Sequence, residues 1–206
     1  MGTRNLTCVI KGGEFRVAQY GQWDGYPEAA GRDILAFLRT TGYIEKLRSR
    51  VDECTFVSDE EWSRRAAAFG IGDAVVVGSE QEKMFAELFK WNDRDLGRKV
   101  LNALVTSQGP VELLDSRTFA QDSLFCEWAY VVDLDRNVLE VYKGFNHDSN
   151  ANAGVFASLP PKEVKPHAFS GDSYYAVTLA KSYSFDNLPS VEVMKEECDP
   201  SEPEDD

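Results

Sequence analysis

The sequence predicts an α+β fold, with antiparallel β-sheet packed against helices. Three observations carry this expectation. The chain opens with a hairpin pattern, Thr3 to Lys11 and Phe15 to Tyr20, around a Lys11-Gly12-Gly13-Glu14 turn. Its middle third switches to helical spacing with capping signatures. Its last third returns to runs of aromatic and β-branched residues. Strands at both ends with helices between them suit hairpins meeting in one sheet.

Glycines at 12 and 13 supply the positive φ that a tight hairpin turn needs. A strand starting at residue 3 implies a terminus pinned in a sheet, since free termini fray. After the polar-aromatic turn Gln22-Trp23-Asp24-Gly25-Tyr26-Pro27, the residues Ala30, Ile34, Phe37, Leu38 and Thr41 fall on one helical face. Pro27 opens that helix and Gly42 stops it. A second helix follows, with Tyr43, Ile44, Leu47 and Val51 inward. Ser58-Asp59-Glu60-Glu61 has the form of a capping box before Trp62, Ala66 and Phe69. Ser79-Glu80-Gln81-Glu82 repeats it before Met84, Phe85, Leu88 and Phe89. Between them, Ala74 to Val77 is a short apolar strand or connector. A further helix is expected over 93–106, stopped by Gln108-Gly109-Pro110. Residues 125–132 and 138–144, joined by an Asp133-to-Asn137 turn, form the strongest hairpin in the chain. A loop over 146–172 precedes a last strand at 174–180, and Leu188-Pro189-Ser190 leads into a short helix or the tail.

Size and charge bound the function. The chain has 206 residues, 43% of them hydrophobic, enough for one substantial core. A single globular domain over 1–191 is expected, followed by an acidic disordered tail over 192–206. Those fifteen residues carry eight acids against Lys195, a net of −7 out of −13, which leaves −6 on the remainder. Either figure argues against nucleic-acid and anionic-membrane partners, whose phosphates select Lys and Arg. No apolar run approaches the ~18 residues of a membrane span. No signal-peptide pattern opens the chain. The Met-Gly start lacks the Ser or Thr that a myristoylation motif wants at position 6, where Leu6 stands. Cys8, Cys54, Cys126 and Cys198 are scattered without a Cys-x-x-Cys pair, which suits reduced thiols in a cytoplasmic protein.

Several motifs fail on inspection. Asp133-x-Asp135-x-Asn137 imitates a calcium loop, but Val138 and Gly144 stand where Gly and Glu are required. Gly70-Ile71-Gly72 follows a helix rather than a strand, so it is no dinucleotide loop. His147 and His167 lack zinc-ligand spacing and read as loop residues. Neither a metal nor a cofactor is called for. The turn at 22–27 is the place to look. Gln22 and Asp24 offer polar groups between the Trp23 and Tyr26 rings, the make-up of a small-ligand site, although turn chemistry alone also accounts for Asp24-Gly25 and Pro27.

The segment Met1-Gly2-Thr3-Arg4-Asn5-Leu6, followed by Ala18-Gln19-Tyr20-Gly21-Gln22-Trp23-Asp24-Gly25-Tyr26-Pro27, resembles a group of short proteins of phages, bacteria and fungi that has no assigned activity. The hairpin at 126–144 is similar as well. More loosely, the chain resembles N-terminal-nucleophile hydrolases, whose first strand begins at the catalytic residue and whose sheets are sandwiched between helices in an αββα arrangement. Thr3, Arg4 and Asp24 fit that outline. The nucleophile does not: removal of Met1 exposes Gly2, which has no side chain to attack a carbonyl. The resemblance thus implies a fold more than an activity. Three readings stand: a globular protein binding a small polar ligand or a protein near Thr3, Arg4, Gln22, Trp23, Asp24 and Tyr26, with no catalytic residue; an amide-bond hydrolase using a processed Thr3; and a structural protein whose aromatic turn is core.

Overall fold

A computed structural model describes residues 2–68, 90–92, 95–160, 162–168 and 170–200. Seven strands and five α-helices are described: β1 (Asn5–Lys11), β2 (Glu14–Gly21), α1 (Arg32–Arg39), α2 (Tyr43–Arg50), β3 (Cys54–Val57), α3 (Asp59–Ala68), α4 (Val100–Thr106), β4 (Val111–Leu114), β5 (Trp128–Asp133), β6 (Val138–Lys143), β7 (Thr178–Ser184) and α5 (Val191–Cys198). The fold is α+β, as the sequence leads one to expect.

The main sheet runs β2-β1-β5-β6-β7. Its hairpins β1–β2 and β5–β6 are antiparallel, as is β6–β7, but the central junction β1–β5 is parallel, pairing Asn5 with Trp128 and Val9 with Val132. The expectation of a purely antiparallel sheet is corrected at that one seam. A tight turn forces antiparallel pairing, whereas a connection through the helical middle of the chain leaves either direction open. A second, two-stranded sheet pairs β3 and β4 in parallel.

β1 is buried on both sides, and its alternation sorts two cores. Val9, with Val17, Tyr130, Val132 and Val141, faces the helices through Ile34, Leu35, Leu47 and Leu104. Leu6, Cys8 and Ile10, with Ala18, Ala129 and Val131, face Ala120, Phe156 and Val177. Among the described residues that second face is covered by 3-10 turns at Arg117–Gln121 and Gly154–Ser158 and by loops.

Local chemistry behaves as read at several points. Gly12 and Gly13 take φ of 67° and 71°, and Gly42 takes 77° before α2. Pro27 opens a single π-helical turn, Pro27–Gly31, which runs on into α1. Ser58 Oγ accepts from the Glu61 amide at 3.2 Å, but the Glu61 carboxylate turns to Arg64 and Arg65 instead of closing the capping box. The second box at 79–82, the helix after it, the run 74–77, Gly70 to Gly72 and Phe69 lie outside the described residues.

Three boundaries move. The helix expected over 93–106 begins at Val100, behind a 3-10 turn at Gly97–Lys99 in which Gly97 takes φ 40°. The last strand lies at 178–184, not 174–180. β6 offers a partner only as far as Lys143, and the amides of Tyr175 and Val177 donate instead to the Asn146 and Ala120 carbonyls. The tail boundary at 192 is also wrong. Residues 191–198 form α5, capped by Ser190 Oγ on the Val193 amide, with Met194 and Cys198 buried in the helix-side core. Counting acids over 192–206 hid an apolar stripe at Val191, Met194 and Cys198 with the i, i+3, i+7 spacing of a docked helix. Residues 201–206 lie outside the described residues.

Candidate functional site

The pairing of β1 with its neighbours gathers one end of the sheet. The start of β1, the end of β2, the start of β5 and the end of β6 meet there, since Asn5 pairs with Gly21 and Trp128, and Trp128 pairs with Lys143. Four half-exposed aromatic side chains follow or precede these positions: Trp23, Tyr26, Phe125 and Phe145.

The turn after β2 is held from within. Asp24 adopts φ 53°, a left-handed conformation that Asp tolerates better than most residues. The Gly25 amide donates to the Thr3 carbonyl at 2.9 Å, and the Gly25 carbonyl accepts from the Tyr130 hydroxyl at 2.8 Å. Burial pushes that hydroxyl well above its ordinary range, so it remains a donor. A Cβ on Gly25 would stand 2.8 Å from Asn5 Cβ, so only glycine lets the turn lie this close to β1. The Ala30 amide then donates to the carbonyls of Asp24 and Tyr26 and fixes the start of the helical segment.

Beside this turn is a cavity of about 280 Å³, lined by Gln22, Trp23 and Asp24 on one side and by residues 95–99 on the other, with Gly21 at its base. Trp23 Nε1 donates to Asp95 Oδ1 at 2.8 Å. Arg98 holds Asp33 at 2.5 Å and approaches Asp24 at 3.8 Å. Gln22 Oε1 accepts from the Tyr20 hydroxyl at 2.6 Å. The volume lies just below the range of about 300–1,000 Å³ usual for ligand pockets.

The candidate residues therefore divide. Gln22, Trp23 and Asp24 line the cavity together. Thr3 contributes its carbonyl to the turn. Arg4 points elsewhere: its guanidinium lies over the Phe125 ring, 4.5 Å from the centroid, while its amide donates to Glu127 Oε1 at 3.1 Å. Tyr26 contributes its carbonyl to the Ala29 and Ala30 amides and leaves its ring on the surface. Asp95, Arg98 and Lys99 enter the site without a signal of their own, because charged residues on a helical pattern read as its solvated face. Asn5 and Thr7 did carry one. They are polar residues sharing the parity of Val9 on a core strand, and both point into the helix side of the sheet.

Position 2 is crowded. A Cβ built on Gly2 would lie 2.1 Å from Trp23 Cε3 and 2.7 Å from the Gln22 carbonyl oxygen. The four thiols are buried, and burial raises each of them, Cys54 to about 11, so none is poised as a thiolate nucleophile. His147 rests against the Tyr174 ring with Nδ1 3.1 Å from the Ser173 carbonyl, a loop contact. Among the described residues no group of three or more His, Cys, Asp or Glu could hold a metal ion, and no helix is long and apolar enough to cross a membrane.

Compared with models of known protein families, with curated proteins and with solved structures, the chain matches none.

Proposed function

We propose that this chain is a binding protein, and that it holds a small polar ligand in the cavity between Gln22–Asp24 and residues 95–99. The observation that carries the reading is the cavity beside Trp23, whose charged and hydrogen-bonding groups are already anchored: Arg98 by Asp33, Trp23 by Asp95 and Gln22 by Tyr20. Preorganised polar groups beside an aromatic wall suit recognition without chemistry. The loose resemblance to N-terminal-nucleophile hydrolases contributes the expectation that the chain terminus borders a site. The buried free thiols favour a reducing, cytoplasmic setting.

A thermal-shift panel of small polar metabolites tests this reading. At least one is expected to raise the melting temperature of the wild type and not that of Asp24→Ala, with the circular dichroism of both chains unchanged. A panel that shifts neither chain overturns it. Intact-mass analysis addresses the hydrolase alternative: a chain beginning at Met1 or Gly2 leaves the Thr3 amine blocked, whereas one beginning at Thr3 restores that mechanism.

A protein partner is a second reading, favoured by the four half-exposed aromatics at the same end of the sheet. Alanine at Phe125 and Phe145 would weaken such a partner and leave the small-molecule shift intact.

A further inference from the structure

The lining of the cavity beside Trp23 narrows the ligand by what it leaves unengaged. Its formal charges balance, with Asp24 and Asp95 against Arg98 and Lys99. Arg98 is taken up by Asp33 at 2.5 Å, and Asp95 accepts from the Trp23 indole at 2.8 Å. That leaves Asp24 and Lys99, one acid and one base, so neither a simple cation nor a simple anion is favoured. Both side chains are exposed, where water and salt weaken any attraction for an ion.

The remaining hydrogen-bonding capacity is of both kinds. Gln22 Oε1 accepts from the Tyr20 hydroxyl at 2.6 Å, which orients the amide and leaves Nε2 with two N–H donors. Among the described residues the Lys99 ammonium has no hydrogen-bond or ion-pair partner. Asp24 has Arg98 at 3.8 Å, beyond hydrogen-bond length, so its carboxylate oxygens are open acceptors. Open donors and an open acceptor on one cavity suit hydroxyl groups, which donate and accept alike without carrying charge.

The third element is the indole itself. Trp23 is 51% exposed, yet its Nε1 hydrogen bond to Asp95 holds it in one orientation. A ring fixed before the ligand arrives loses little rotamer freedom on binding. Its electron-rich face attracts polarised C–H groups. The ligand that matches all three elements is uncharged, carries hydroxyls around its rim and exposes C–H groups on its face.

We propose that the ligand of this site is a neutral saccharide, with one pyranose ring lying against the Trp23 indole. Adjacent hydroxyls donate to the Asp24 carboxylate and accept from Gln22 Nε2 and the Lys99 ammonium. This names the ligand class of the binding reading above and rests on it. The volume of about 280 Å³ is small for a drug-sized molecule and suits a single ring. Asp24 holds its place in the turn at φ 53°, in a region where strain is tolerated chiefly at sites that bind.

The test is calorimetric titration of the full chain with D-glucose, D-galactose, N-acetyl-D-glucosamine, L-phenylalanine and uracil. At least one of the three sugars is expected to bind with a dissociation constant of about 1 mM, and neither L-phenylalanine nor uracil to bind as well. Trp23→Ala and Asp24→Asn are each expected to weaken that sugar about tenfold. Should Trp23→Ala fail to fold, Asp24→Asn decides alone, since asparagine tolerates the same positive φ. Sugar affinity unchanged in Asp24→Asn overturns the placement of the ring in this cavity. Tighter binding of L-phenylalanine makes the ligand a zwitterion, tighter binding of uracil makes it a planar base, and either result overturns the saccharide. Failure of all three sugars overturns it as well, while the metabolite shift lost in Asp24→Ala judges the broader binding reading separately.

Discussion

The two ends of the main sheet end in opposite states. At the end where β1 meets β2 through Gly12-Gly13, Asp135 accepts from both glycine amides, at 2.9 and 2.8 Å, and ties one hairpin to the other. Beside it Asp133 accepts from the Asp135 and Arg136 amides and pairs with Arg136, which also reaches the buried Glu140. At the other end Asp24 and Phe145 hold positive φ, four aromatics stand half exposed, and two buried oxygens go unpartnered. A bulky Phe in the left-handed region is a sharper departure than the Asn137 that occupies it in the turn between β5 and β6. The contrast supports the proposed binding site at the end where local rules are broken, since a chain tolerates strain and unsatisfied groups chiefly at sites that use them.

The largest effect that could break this contrast lies at the satisfied end. Asp133→Ala removes a buried carboxylate that serves two amides and a guanidinium, and is expected to destabilise the fold by about 3 kcal/mol in denaturant titration. A loss under about 1 kcal/mol would mean that this end is no better satisfied than the other. The opposite sign is expected across the sheet. Thr7→Val replaces an unpartnered buried hydroxyl with a methyl group of similar volume, and without ligand should stabilise the chain by about 1 kcal/mol. Destabilisation of similar size would show that the hydroxyl has a partner in the folded protein and remove the asymmetry.

A smaller effect sharpens the geometry of the open end. Gly2→Thr adds a side chain whose Cβ would stand 2.1 Å from Trp23 Cε3. The half-exposed indole can swing away by giving up the Asp95 hydrogen bond, and the Gln22 carbonyl, 2.7 Å from the same Cβ, must shift with it, at a cost of about 1 kcal/mol. Indole fluorescence should shift to longer wavelength as the ring enters water. An unchanged spectrum would place the terminus away from Trp23.

This contrast was half legible in the sequence. Gly12-Gly13, Pro27, Gly42 and the Ser58 cap act through their own backbone, so their chemistry shows in a window of a few residues. The turn at 22–24 was visible for the same reason, and it does line the cavity. What could not be read was who would face it. Residues 95–99 reach Trp23 only because α4 packs beneath the sheet, and the parallel seam between β1 and β5 depends on the path of the whole middle segment. The acids of α5 drew attention from Met194 and Cys198, since net charge reports a surface and says nothing about a buried stripe. Asn5 and Thr7 were legible by parity alone, as polar residues at core positions of a strand whose other inward residue is valine.

The smallest expected effect concerns pH and returns to the first hairpin. Hydrogen bonds from the Gly13 and Gly12 amides, with Arg48 and Lys11 nearby, lower the Asp135 carboxyl below its ordinary value. A carboxylate depressed in the folded state binds its proton more readily in the unfolded chain. Its contribution is therefore fully present above the unfolded value of about 3.9 and is lost as pH falls through the lower folded value. Asp135 is exposed, so the contribution is small and screened by salt. Between about pH 5 and pH 2, the wild type should lose slightly more stability than Asp135→Asn, which keeps an acceptor oxygen but has no charge to titrate. Amide exchange at Gly12 and Gly13 should quicken over the same interval in the wild type alone. If both chains lose stability in parallel, the acid sensitivity lies elsewhere, and the two hairpin turns are joined by shape rather than by the charge on Asp135.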